Sequence, residues 1–279
     1  MSHVAVLGMG LLGSGFAEGL LTRGGTTVTV WNRTRARAEA MTAFGATVAD
    51  APADAVRGAS RVHLVLLDDD TVDAVIAELR PGLAPDAVIV DHTTTQPART
   101  AARAAALAAD GIAYLHAPVM MGPPAARKAM GMMLLAGPQS HVDRVRDGLT
   151  AMTGELWYVG ERPDLAAAYK LVGNGMLLGL VGLAADVMHM MDAAGVPRSG
   201  ALDMIGKINF NGGMGLRGTM MRDREFHTNF ALTVARKDLR LMMETAGDAP
   251  TPMLHALAAH MDAALELGLG DEDFAILGR

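Results

Sequence analysis

The first half of the chain alternates short apolar runs with amphipathic ones. "HVAVLGMG" (3–10) carries β-branched and apolar residues into glycines, "SGFAEGLLTRG" (14–24) spaces apolar residues as a helix does and stops on a glycine, and "TTVTVWNRT" (26–34) is again strand-like. The same rhythm predicts strands over 61–68, 87–94 and 112–119, with helices near 71–80, ahead of Pro81, and over 97–109. Strands and helices alternating in this way build a doubly wound, mostly parallel α/β sheet, whose ligands sit outside the carboxyl ends of its strands. Asp68, Thr93, Thr94 and Met120 fall at such ends.

"ELWYVG" (155–160) is the last strand signal. From 163 onward the pattern is helical, beginning with "DLAAAYKLVGNGMLLGLVGLAADVMHMMDAAGV" (164–196), apolar nearly all the way round, as expected of a helix buried between a domain and a partner subunit. The expected organisation is an α/β domain over 1–162 and an all-α domain over 163–279, joined by this long helix with no low-complexity linker. So much apolar surface, bare in a monomer, predicts a homodimer.

The glycines after the first strand are Gly8, Gly10 and Gly13. In a chain with 32 glycines the G-x-G-x-x-G spacing alone is weak, and a flexible turn is the bland alternative. Its context is what speaks for a Rossmann-type dinucleotide site: a strand before, a helix after, and a second strand closing a β-α-β unit. There Gly8 permits the tight turn, Gly10 lets the backbone approach a pyrophosphate, and Gly13 lets the helix pack on the strand, while Met9, Leu11 and Leu12 between them complete the phosphate loop at the helix N-terminus. Leu67 and Asp68, ending a neighbouring strand, are candidates to flank the same ligand. An acidic residue after the second strand would hold the ribose 2'-hydroxyl of NAD; here Asn32, Arg33 and Thr34 offer no carboxylate. Arg33 can fork onto a 2'-phosphate, so the expected cofactor is NADPH/NADP, although Arg33 and especially Arg35 also read as solvated helix-start residues.

Composition narrows the partners. The net charge of -6 over 279 residues, with no long basic run, argues against nucleic acid and for a small molecule. There are no cysteines, which excludes disulfides and thiolate metal sites, and His63, His92, His116 and His189 stand at no metal-ligand spacing, so no metal is expected. The N-terminus shows no secretory pattern, and Asp186 stops the apolar stretch at 175–185 short of the roughly 20 residues that span a bilayer. A cytoplasmic protein with no membrane partner is the expectation.

Only four lysines occur, and Lys170 lies on the most apolar helix with Asn174 one turn later on the same face. Burial would lower its pKa toward the range useful for acid-base work; a lysine that snorkels to solvent is the alternative.

In order, the glycine motif, "DHTTTQP" (91–97), "YLHAPVMMG" (114–122), "YKLVGN" (169–174), "ARKDLRL" (235–241) and the closing "GLGDEDFAIL" (268–277) resemble the β-hydroxyacid dehydrogenase family, which includes 3-hydroxyisobutyrate dehydrogenases, tartronate semialdehyde reductases and glyoxylate/succinic semialdehyde reductases. The resemblance spans nearly the whole chain. It implies that Thr93 contacts substrate, that Thr94 stands beside the nicotinamide, that Lys170 protonates the carbonyl oxygen as hydride arrives, and that Asn174 positions substrate and lysine. It further implies that Lys237 lies near cofactor and substrate, with Asp238 orienting its surroundings. Two departures bear on the substrate. Where the family usually has Ser-Gly-Gly after "APV", this chain has Met120, Met121 and Gly122, a bulkier, more apolar loop unless the methionines are a lineage habit. His116 stands where an aspartate is common. The loop also resembles that of imine reductases, which generally replace the lysine. The expected activity is NADPH-dependent reduction of a carbonyl, either a semialdehyde, a ketoacid or a bulkier apolar aldehyde or ketone. Imine reduction is the near alternative, and a non-catalytic NADPH sensor the remote one.

Overall fold

The computed structural model describes residues 2–279, which divide into two compact units, the first ending at Asn174 and the second covering Gly175–Arg279. The division falls inside the long helix, further along the chain than the boundary at 162 expected from sequence.

The first unit is built on one sheet. Its strands are β1 (Ser2–Leu7), β2 (Thr26–Trp31), β3 (Thr47–Val48), β4 (Arg61–Leu64), β5 (Val88–Asp91), β6 (Ala113–His116), β7 (Val119–Met120), β8 (Met132–Ala136) and β9 (Glu155–Gly160). They lie in the order β3-β2-β1-β4-β5-β6-β8-β7, with β9 on β8. The ladder is parallel from β3 to β6, β8 runs antiparallel to β6 and β7, and β9 is parallel to β8. The chain leaves β1 toward β2 and returns to β4 on its other side, so the crevice at the carboxyl end of β1 is a topological switch point. The helices of this unit are α1 (Leu11–Arg23), α2 (Arg35–Glu39), α3 (Pro52–Ala55), α4 (Asp69–Leu79), α5 (Pro97–Ala109), α6 (Pro123–Arg127) and α7 (Gln139–Thr150).

Strict alternation along the strands separates two cores. Val4, Val6, Val88, Val90 and Leu115 face one side, with Phe16 of α1 and Leu149 of α7, whereas Ala5, Leu7, Val62, Leu64, Ile89 and Tyr114 face the other, with Leu79 of α4 and Leu107 of α5. The parity carries His63 to the first face and Asp91 and His116 to the second.

Helix α8 (Leu165–Ala193) runs from the first unit into the second, where α9 (Arg198–Lys207), α10 (Phe210–Asp223), α11 (Leu232–Ala246) and α12 (Pro252–Glu266) follow. Leu232, Leu239, Leu254, Met261 and Ile276 form that unit's core. Asp186 does not end the apolar run. Its carboxylate is buried and accepts the Leu254 N–H at 2.9 Å, capping the first turn of α12. By length and composition α8 is therefore apolar enough to cross a membrane, with a mean hydropathy of 1.7 over its most apolar 18 residues, of which 6% are buried within the chain.

Candidate active site

A cavity of about 640 Å³ opens at the switch point. Gly8 has φ +104°, and a Cβ there would stand 2.2 Å from the Val65 carbonyl oxygen; a Cβ on Gly13 would stand 1.9 Å from the oxygen of Gly8. These two glycines let turn, helix and strand close on one another. A Cβ on Gly10 would meet nothing within 4 Å and would stand in the cavity that Gly10 lines. Gly10 is the N-cap of α1 and brings no side-chain cap, so the N–H groups of the first turn are left for a ligand. Such a cradle fits the pyrophosphate of a dinucleotide. Leu11 is exposed and Leu12 packs partly into the core.

Asn32 braces the loop. Its Oδ1 accepts the Met9 N–H at 2.8 Å and its Nδ2 donates to the Thr34 carbonyl at 2.9 Å, so both ends of the amide are engaged. Arg33, Thr34 and Leu67 line the cavity, and so does Arg37, to which the sequence pattern did not point. Arg37 lies on α2, three residues past its N-cap Thr34, and the run of arginines at 33, 35 and 37 could have identified it. Arg35 turns away and pairs with Glu39 at 2.8 Å and with Asp50. The Asp68 carboxylate caps α4 through the hydroxyl and N–H of Thr71, and these bonds hold it below the usual carboxylate range.

Thr93 is buried, and its surroundings fix every polar atom. Its N–H donates to Asp91 Oδ1 at 2.9 Å, its carbonyl accepts from His116 Nε2 at 2.9 Å, and its hydroxyl oxygen accepts the Leu66 N–H at 3.1 Å. The hydroxyl keeps its own hydrogen free to donate. Tyr114 donates to the other Asp91 oxygen at 2.9 Å, and Arg103 Nη1 stands 3.9 Å from that oxygen. Thr94 is exposed beside it.

Lys170 is half-buried on α8. Its ammonium donates to the Val119 carbonyl at 2.7 Å and lies 3.4 Å from Met120 Sδ; burial pushes its pKa down. A Cβ on Gly173 would lie 2.8 Å from Met120 Cε, so this glycine makes the room the thioether occupies. Met121 packs partly into the core, Gly122 is exposed, and Asn174 stands half-buried one turn beyond Lys170.

Beneath these residues is a buried imidazole pair. His63 Nδ1 and His92 Nε2 are 2.9 Å apart, and His92 Nδ1 lies 2.7 Å from the Ala117 carbonyl oxygen. Burial pushes His63 well below the ordinary histidine value and His92 down to about 4, and it lowers His116.

Residues 3–160 match the NAD binding domain of 6-phosphogluconate dehydrogenase, and residues 165–279 match the NAD-binding region of NADP-dependent 3-hydroxyisobutyrate dehydrogenase. The chain belongs to the β-hydroxyacid dehydrogenase family. It is an NAD(P)-dependent oxidoreductase. Among its relatives, an uncharacterized oxidoreductase YfjR of Bacillus subtilis is 29% identical over 98% of each chain, and 3-sulfolactaldehyde reductase of Escherichia coli is 27% identical over 99% of this chain and 95% of its own. An imine reductase of Streptomyces aurantiacus superposes with a TM-score of 0.90 at 25% identity over 99% of this chain and 98% of that one. In this member of the family the second unit carries Lys237 on α11, exposed, with its ammonium 2.7 Å from Asp238.

Proposed function

We propose that the protein is an NADPH-dependent reductase of an apolar aldehyde or ketone, with Lys170 as the proton donor. The observation that carries this reading is the Lys170 ammonium, half-buried and hydrogen-bonded to a main-chain carbonyl rather than to a carboxylate. A lysine so placed keeps a proton that it can surrender. When bound, NADPH would supply a hydride from its nicotinamide C4 to the carbonyl carbon. Lys170 Nζ delivers a proton to the oxygen as negative charge gathers there, and the free amine regains a proton from solvent. The Thr93 hydroxyl, held by Leu66, donates to the substrate, and Asn174 orients substrate and lysine. Thr94, exposed beside Thr93, would border the nicotinamide of a bound cofactor.

Met120 and Met121 favour apolar substrates, because the thioether packed against Gly173 covers the ground where small residues would expose backbone N–H groups to a carboxylate. Imine reduction is the second reading, favoured by the structural likeness and this loop. The ammonium weighs against it, since an iminium cation is repelled by a neighbouring positive charge. The test is NADPH oxidation across short semialdehydes, bulky aromatic aldehydes and ketoacids, and cyclic imines. Turnover of bulky carbonyls is expected; turnover of imines alone sinks the proposal, and cofactor binding without any turnover favours a sensor. The double variant Met120→Ser, Met121→Gly is expected to raise activity on short carboxylated aldehydes about tenfold. No gain removes the role given to the loop.

Arg33 and Arg37 support the NADPH preference, because two guanidinium groups line the cavity and the acidic residue that would select NAD is missing. Hydrogen bonds to a charged group are worth about 1.5–3 kcal/mol, so Arg33→Ala with Arg37→Ala should weaken NADPH binding roughly a hundredfold or more and leave NADH nearly unchanged. Equal loss for both cofactors, measured by fluorescence titration, contradicts the assignment.

Leu171, Val172, Met176, Leu177, Leu178 and Val181 leave a largely exposed apolar face on α8, which supports a homodimer in which a second copy covers it. Light scattering on the detergent-free protein is expected to give twice the chain mass. A monomer, or solubility only in detergent, rejects the dimer.

A further inference from the structure

Three consecutive carbonyls lead from Lys170 into the core. Val119 O accepts the ammonium at 2.7 Å, Pro118 O accepts the Leu134 N–H at 2.9 Å, and Ala117 O is 2.7 Å from His92 Nδ1. A carbonyl only accepts, so His92 Nδ1 carries the hydrogen and, in the neutral ring, Nε2 is an acceptor. His63 Nδ1 must then donate to it. His63 Nε2 is left bare, buried and without a partner among the described residues. The Ala117 oxygen thus fixes the tautomer of both rings. Their planes lie within 9° of each other with centroids 5.2 Å apart, as an edge-to-edge hydrogen bond requires, and Phe16 of α1 closes on His92 at 5.1 Å.

A hydrocarbon pair would fill this space without stranding a lone pair, so the imidazoles are a cost to stability. We propose that His92 is a positioning residue for the reduction: it holds the Ala117 carbonyl, and with it the short loop that aims the Val119 carbonyl at the Lys170 ammonium. His63 serves by donating to the Nε2 that this tautomer leaves as an acceptor, which holds the His92 ring in place. The inference rests on the reading of Lys170 as proton donor. The charged and titratable groups around the pair are Arg61 and His63 from β4, Asp91 from β5 and His116 from β6.

His92→Asn and His92→Gln separate positioning from bulk. The asparagine amide nitrogen stands where Nδ1 stood and keeps the bond to Ala117, whereas glutamine places its amide near the Nε2 position and gives that bond up. Both are made in the full chain and assayed with NADPH and a carbonyl substrate. In parallel, with NADP bound, the pH dependence of Lys170 reductive methylation is read by mass spectrometry. The glutamine variant is expected to lose about tenfold to a hundredfold in kcat at nearly unchanged KM and NADPH affinity. Its Lys170 labelling midpoint should move to lower pH, because burial then acts on an ammonium that has lost its aligned acceptor. The asparagine variant should return kcat to within about threefold of the parent.

An unchanged kcat and midpoint in His92→Gln overturns the proposal, as does equal damage to both variants with cofactor affinity lost alongside. If the glutamine variant does not fold, His63→Phe takes its place. That change leaves the Ala117 bond but removes the donor that holds His92 Nε2, so a partial fall in kcat supports the proposal and none overturns it. Should Lys170→Ala retain full turnover, the proton-donor reading fails, but the labelling midpoint still reports whether His92 sets the loop, so the two failures are distinguishable.

Discussion

Replacing Lys170 with alanine is expected to lower kcat for carbonyl reduction by about 10²–10⁴-fold while NADPH continues to bind. The substitution removes the group that neutralises the developing alkoxide, whereas the cavity at the switch point, which Lys170 does not line, keeps its glycine cradle and both arginines. Residual turnover comes from hydride donor and substrate held together, with water as the poor proton source. Lys170→Arg sharpens the test, because a guanidinium keeps the positive charge but does not surrender its proton near neutral pH. An arginine variant as slow as alanine identifies proton transfer as the missing step; one near the parent rate means that charge alone suffices. For the parent, burial lowers the lysine from its ordinary 10.5, so the alkaline fall of kcat should begin at a lower pH than free lysine would give. In Lys170→Ala that limb should vanish. Alanine with kcat within about threefold of the parent defeats the assignment.

The β-α-β unit was legible because each of its features is local: β-branched residues at period two, a helical stripe, and glycines where backbones approach. Strand β8 (Met132–Ala136) was not, since five apolar residues in a methionine-rich chain look alike as strand or helix, and its partners β6, β7 and β9 include one much later in sequence. Asn32 was legible as a candidate beside the cofactor but not as a brace, because its acceptor role depends on Met9, brought near only by the parallel ladder. The histidine pair was harder still. His63 and His92 are 29 residues apart and stand at no motif spacing; strand parity and the pairing of His63 with Val90 bring them onto one face. Thr93 was marked by its strand end and Lys170 by its apolar helix, with their roles implied by resemblance, whereas the bonds that orient them come from Leu66, Asp91, His116 and Val119, which no local pattern marks.

Stability is expected to fall steeply with pH between about 6.5 and 4, before the carboxylates begin to titrate strongly. His63, His92 and His116 are neutral in the folded chain because burial excludes their charged form, and unfolding returns each to the ordinary value of 6.5. Above that value both states are neutral and the contribution is flat. Below it the unfolded chain binds protons that the folded chain refuses, so acid favours unfolding. For His92 the slope ends near 4, where the folded imidazole itself takes a proton; that span alone corresponds to about 3 kcal/mol. His63 feels Arg61 and His92 as further opposition, whereas Asp91 favours the charged forms of His92 and His116 and softens their loss. The paired carboxylates Asp73 and Asp273, held below 3.8, withdraw their support only at lower pH, so the two windows separate. Urea titrations between about pH 7.5 and pH 5 should show uptake approaching two protons on unfolding from His63 and His92, with a further contribution from His116, or roughly 3 kcal/mol per pH unit at the steepest point. In His63→Phe the slope should flatten by about one proton, even if the absolute stability changes. An uptake below about one proton in the parent would mean that these imidazoles are charged or open to water when folded, and the tautomer chain from Ala117 to His63 would go with it.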